Sequence, residues 1–254
     1  MATDVHRINC SLTITMALKS NTAICLRCWD YSETSQTVSL LTKDHGIIRG
    51  IAKGSKRDTG IFSGGFDPLT QGQVIFRLKR GVDLATLTEW QLEQVWWTVR
   101  KKLSANKAAI YMLDLVNRII NDHDPHTKIF EALHSALCRI DQGHDIDWPI
   151  LRFQWALLVD SGYRPNLNTN SSLSEVVGFS ATEGGVVADT GGIDRVRVRK
   201  ETIDVLEILN AEGPMQPTEP KVLHRANRLL AHYFRHIIGK ESAAMRYMWG
   251  SLDA

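Results

Sequence analysis

Cysteine, long apolar runs and surplus charge are all scarce in this chain, and each shortage excludes something. Four cysteines, Cys10, Cys25, Cys28 and Cys138, lie scattered through 254 residues, too few for the disulfide framework of a small secreted domain. No apolar run is long enough to cross a bilayer, and residues 1–15 lack the unbroken apolar core of a signal peptide. The expectation is a soluble, cytoplasmic protein with no membrane attachment. A formal net charge of +2 gives no global pull on a polyanion, so any such affinity must come from local clusters. The apolar and charged fractions are ordinary, which excludes wholesale disorder.

The motifs of covalent chemistry are missing too. Gly50-Ile51-Ala52-Lys53-Gly54-Ser55-Lys56 evokes a phosphate-binding loop but lacks its spacing. No nucleophile elbow and no dinucleotide fingerprint follows a strand. His232 and His236 stand four apart without the glutamate of a zinc protease, beside Arg228 and Arg235, which would repel a cation. Asp122-His123-Asp124 with His126 carries ligand-type side chains, yet neighbours in a row diverge, and the segment reads as a helix-ending loop. Cys25 and Cys28 fall in a strand, where residues three apart point to opposite faces and cannot share an ion. No metal, no cofactor and no enzyme activity is expected.

What the chain does have is clustered positive charge on β-like sequence. Thr42 to Arg57, TKDHGIIRGIAKGSKR, joins a strand to a turn at Asp44-His45-Gly46, a second strand, and a basic glycine-bearing loop. Further clusters occur at Arg77-Leu78-Lys79-Arg80, at Arg100-Lys101-Lys102 and from Arg195 to Lys200. Residues 22–92 hold five short alternating segments separated by turns, the pattern of a small, closed or nearly closed antiparallel barrel. From Trp96 the period becomes helical, through runs at 108–119, 129–140 and 148–159, then 202–209 and 221–238. Residues 166–192 are polar and glycine-bearing, with little apolar content of their own. Any single basic cluster reads as a solvated face. Several of them on a small barrel fit a cationic groove for single-stranded nucleic acid, with Trp29 or Phe62 available to stack on bases.

Four blocks then carry a resemblance. Ala23-Ile24-Cys25-Leu26-Arg27-Cys28-Trp29-Asp30-Tyr31-Ser32-Glu33, Leu40-Leu41-Thr42-Lys43-Asp44-His45-Gly46, Ala52-Lys53-Gly54-Ser55-Lys56-Arg57 and Phe66-Asp67-Pro68-Leu69-Thr70 are similar, in order and spacing, to the RecO family of recombination mediators. The likeness continues through Gly162-Tyr163-Arg164-Pro165-Asn166-Leu167 and residues 179–187 into the last helix. It implies an α+β chain: an N-terminal extension at 1–15, an OB-fold barrel at 16–92, and a helical bundle domain at 93–254. Within the bundle the family often carries a four-cysteine zinc module. Here the cysteine positions hold Asn170, Leu173, Ala188 and Gly191, so the insert at 166–192 is expected to be a degenerate, metal-free version.

The resemblance further implies binding of single- and double-stranded DNA, annealing of complementary strands, and help to RecA in replacing single-strand-binding protein together with RecR. Lys43, Arg49, Lys53, Lys56, Arg57, Arg77, Lys79 and Arg80 are the residues expected to meet phosphates. Arg228, Leu229, His232, Tyr233 and Arg235 on the last helix are expected to receive the acidic, apolar-ended tail of single-strand-binding protein. A protein-interaction adaptor with only weak DNA contact is the rival reading.

Overall fold

The computed structural model describes residues 18–57, 60–78, 81, 84–168, 175–188, 192, 194–211 and 217–252. The N-terminal extension, Lys79, Arg80, Asn170, Leu173 and Gly191 lie outside the described residues.

Alternation builds the first unit. Strands β1 (Lys19–Asp30), β2 (Gln36–Thr42), β3 (Gly46–Ala52), β4 (Thr70–Arg77) and β5 (Ala85–Val95) close into a barrel in the order β1-β2-β3-β5-β4. Ala23, Cys25, Val38, Leu40, Ile48, Val74, Phe76 and Trp90 fill its interior, as period-2 patterning requires. The OB-type barrel expected from the sequence is present, and a helical region follows it. The opposite face of the first three strands is not left to water at one end. Ile24, Leu41 and Ile47 form a cross-strand row and belong to the same apolar core as the helices.

Among the described residues seven helices follow: α1 (Trp97–Lys101), α2 (Leu103–Ile119), α3 (Thr127–Asp141), α4 (Asp147–Asp160), α5 (Lys200–Asn210), α6 (Pro220–Ile238) and α7 (Ala243–Trp249). The bundle interior includes a short polar chain. Tyr111 donates to Gln154 Oε1 (2.8 Å) and Gln154 Nε2 donates to Asn227 Oδ1 (2.7 Å). Burial holds the Tyr111 hydroxyl well above its ordinary pKa, so it stays a donor.

Between α4 and α5 lies a three-stranded sheet of β6 (Val176–Ser180), β7 (Gly185–Val187) and β8 (Arg195–Arg199), in the order β7-β6-β8. The insert packs onto the bundle through β6. Val177 and Phe179 are buried in the helical core, and the Phe179 ring meets Tyr233 edge-on with centroids 5.7 Å apart. The glycine pair has a structural reason independent of any metal. Asn166 N donates to Gly184 O (2.9 Å) and Val186 N to Asn166 O (2.8 Å). A side chain at Gly185 would sit 2.2 Å from that same Asn166 oxygen.

The β2–β3 hairpin is pressed against the connection between α2 and α3. His123 N donates to Ile47 O (3.0 Å) and Thr127 Oγ1 to Lys43 O (3.0 Å). Gly46, at φ +66°, turns the chain where a Cβ would lie 2.1 Å from Asp124 O. Left-handed backbone and close approach both demand glycine there.

A bulge in β1 between Cys25 and Arg27 overturns one sequence-based expectation. The extra residue brings Cys28 back to the face of Cys25, and both pack against the barrel interior. Burial raises both thiols, Cys25 well above the ordinary value, and no cluster of three ligand-type side chains occurs among the described residues.

Candidate nucleic-acid interface

Cross-strand register sorts the outward residues of the barrel into rows. Next to the apolar row that seals onto the helices comes Arg27–Ser39–Arg49. Each of its members is engaged by the helical region. Arg27 pairs with Asp114 of α2, Ser39 Oγ donates to Asn117 Oδ1 at 2.8 Å, and Arg49 Nε donates to both oxygens of Asp122 at 3.0 and 2.8 Å. Asp114 is buried and is also held by Arg118 (2.8 Å). This row is a polar latch.

The next outward row is open. Trp29 pairs with Thr37, Thr37 with Ile51, Ile51 with Thr86, and Thr86 with Arg77. Directly opposed residues point to the same face, so an indole and a guanidinium bracket one stripe. Four strand spacings of about 4.8 Å carry it roughly 19 Å around the barrel. Trp29 is 48 % exposed, while Phe62, Phe66 and Phe76 are buried. That removes Phe62 as a base-stacking candidate and leaves Trp29, with Tyr31 exposed beside it.

The basic loop at the end of β3 is fastened to the same rim. Gly54 N donates to Ser35 Oγ (3.1 Å), Lys56 N to Thr34 O (3.1 Å), and the buried Ser55 hydroxyl to Gln36 Oε1 (3.0 Å). Lys56 Nζ reaches Asp30, the neighbour of Trp29, at 2.6 Å. Lys53 and Arg57 are exposed, as is Arg77, and none of the three meets a carboxylate among the described residues.

The eight expected phosphate contacts therefore divide. Lys53, Lys56 and Arg57 lie on the loop fastened beside the end of β1, and Arg77 joins them only through the cross-strand row that ends at Thr86. Arg49 is turned to Asp122, and Lys43 lies 3.6 Å from Glu131 of α3 in an exposed pair. Lys79 and Arg80 lie outside the described residues.

On α6 the expected partner set divides as well. Leu229 and Tyr233 are buried, and Arg228 donates to the carbonyls of Trp249 (3.0 Å) and Ser251 (3.3 Å). With Arg225, His232 and Arg235 it borders a groove of about 620 Å³ against β8. A separate concavity of about 400 Å³ opens between α3 and α4, with Ala132, Ala136, Phe153 and Trp155 as its apolar seat and Arg139 and Arg152 at its edge. Sequence reasoning missed both arginines, because nothing in the chain marks two helices as the walls of one pocket.

Comparison with known proteins agrees with this architecture. Residues 16–96 match the family model described as recombination protein O N terminal, and residues 100–244 match the one described as recombination protein O C terminal. The chain belongs to the recombination protein O family. The family's two halves meet between residues 96 and 100, where β5 hands over to α1. Among similar proteins is the DNA repair protein RecO of Myxococcus xanthus, 26% identical over 89% of this chain and 95% of its own length. The protein of that name from Anaeromyxobacter sp. (strain K) is 27% identical over 89% and 94%. The one from Rhodopirellula baltica is 30% identical over 74% and 72%. Membership in the recombination protein O family implies a part in DNA recombination and repair.

Proposed function

We propose that this chain binds single- and double-stranded DNA across the open row and its basic loop, and that it anneals complementary strands. In this reading it works in the cytoplasm with RecR to help RecA replace single-strand-binding protein, by binding rather than by covalent chemistry. The observation that carries the reading is the register of Trp29, Thr37, Ile51, Thr86 and Arg77, with Lys53, Lys56 and Arg57 anchored beside it. Aromatic surface beside Lys53, Arg57 and Arg77, which meet no carboxylate among the described residues, suits a strand held by stacking and phosphate contacts, without base-edge readout. Lys79 and Arg80 follow Arg77 in the chain and complete the set.

Titration of a labelled oligodeoxythymidine at several salt concentrations tests this. Affinity is expected to fall steeply with salt, by a slope of about 0.7 for each phosphate contact on a single strand. The triple variant Lys53→Ala/Arg57→Ala/Arg77→Ala is expected to flatten that slope by about 2, whereas Arg49→Ala leaves it unchanged. Binding that ignores salt, or a triple variant indistinguishable from wild type, would sink the assignment. Absent DNA binding with intact RecR binding would favour the adaptor role instead.

For the acidic, apolar-ended tail of single-strand-binding protein, the α3–α4 concavity fits better than α6. It offers an apolar seat flanked by two exposed guanidiniums, while Leu229, Tyr233 and Arg228 are already engaged in packing and carbonyl contacts. A labelled tail peptide is expected to lose roughly tenfold or more in affinity to Arg139→Ala/Arg152→Ala, the scale of losing a charge-assisted hydrogen bond. Loss in Arg228→Ala/Arg235→Ala alone would return the tail to α6.

A further inference from the structure

A cleft of about 670 Å³ separates the outer end of β1 from α2 and α7. We propose that it takes an unstacked nucleobase from the strand lying on the open row, an inference that rests on the DNA-binding reading above. Three observations converge on it. First, Trp29 both lines the cleft and ends the open row. A strand that follows the row therefore arrives at the cleft mouth.

Second, the walls carry what a base and its phosphate need. Tyr247 of α7 lines the cleft and is 44 % exposed, and Lys107 Nζ stands 4.9 Å from its ring centroid. An aromatic ring and an indole offer faces to any base, and the ammonium both steadies the ring and adds a positive charge. Leu26 and Leu113 supply apolar surface below them.

Third, the charge at the cleft is matched to a phosphate. Arg27 and Arg118 each use one nitrogen on Asp114. Their side chains remain 37% and 28% exposed and line the cleft, with no further hydrogen bond among the described residues, so each guanidinium keeps unengaged donors. Among the described residues Asp114 is the single carboxylate lining the cleft, against Arg27, Arg118 and the nearby Lys107. Further out, Asp30 is neutralised by Lys56 and Asp67 by Arg100. The residual field is positive, and a protein segment with acidic side chains could also answer it. The aromatic pair and the continuity with the row favour nucleic acid.

The test compares two oligomers of equal length, oligodeoxythymidine and its abasic sugar-phosphate counterpart, both binding the full chain. Trp29→Ala and Tyr247→Ala are each expected to weaken the thymidine oligomer about tenfold. Tyr247→Ala is expected to leave the abasic oligomer unaffected, and Tyr247→Phe to bind both normally. A Tyr247→Ala protein that binds thymidine as wild type does would overturn the cleft while leaving the phosphate row standing. Equal loss on both oligomers would also overturn it, by showing that the ring acts through structure and not through a base. Failure of the wild type to bind either oligomer would remove this inference and the DNA-binding reading together. Far-UV circular dichroism of each variant confirms that the helices persist, as expected for an exposed ring.

Discussion

At the scale of single residues, positive charge does two different jobs on one barrel face. Arg49 and Arg57 are eight positions apart in a basic stretch, yet one is held by a carboxylate and the other is exposed. The deciding partner, Asp122, is 73 residues away in sequence from Arg49, so no local pattern separates them. Arg27 shows the same dependence on distance. Its partner Asp114 is buried, and the pair exists because a bulge rotates Arg27 outward. Removing that carboxylate would leave Arg27 and Arg118 without a counter-charge. Asp114→Ala is expected to lower the unfolding free energy by about 2 kcal/mol, below the ~3–5 kcal/mol of a fully buried broken pair, because both guanidiniums reach water. Urea denaturation checks this through the midpoint, and a variant within error of wild type would show the latch to be energetically idle.

At the scale of elements, most of the barrel was legible. Alternation and the Asp44-His45-Gly46 turn mark β2 and β3, and glycine and proline punctuation marks the approach to β4, because a half-buried strand must alternate and a tight turn needs a residue tolerant of positive φ. The bulge was not legible, since it depends on how β1 pairs with β2 and leaves no signature in Cys25-Leu26-Arg27-Cys28. That one extra residue changes the faces of everything after it, including Trp29. How the insert docks was, for a related reason, not legible. Its apolar residues are few, but Val177 and Phe179 both face the bundle, so a short strand carries more burial than its composition suggests. Helices α2 to α6 followed their 3.6-residue period, whereas α1 and α7, of 5 and 7 residues, are too short to show one, and the pairing into an α3–α4 pocket was not legible.

At the scale of the whole molecule, the barrel's outer face and the helices share one apolar core. Ile24, Leu26, Leu41, Ile47 and Leu69 are all buried in that shared core, each contributing about 1.5–3 kcal/mol relative to exposure. Together they rival the ~5–15 kcal/mol stability of a typical domain. Residues 16–96 produced alone are therefore expected to aggregate or bind a hydrophobic dye. The full chain is expected to unfold in one transition, with far- and near-ultraviolet dichroism coinciding. A monodisperse, cooperatively folding barrel fragment would contradict the shared core. Sequence by itself determined the α+β architecture, the basic loop and the absence of a recognisable catalytic motif, since period, turn chemistry and motif spacing are properties of near neighbours in the chain. Only the tertiary structure decided which cations are latched and which are open, and that Trp29 rather than Phe62 faces outward. Those outcomes depend on strand register and on carboxylates brought in from distant helices, and register is a property of pairs of segments that no single stretch encodes.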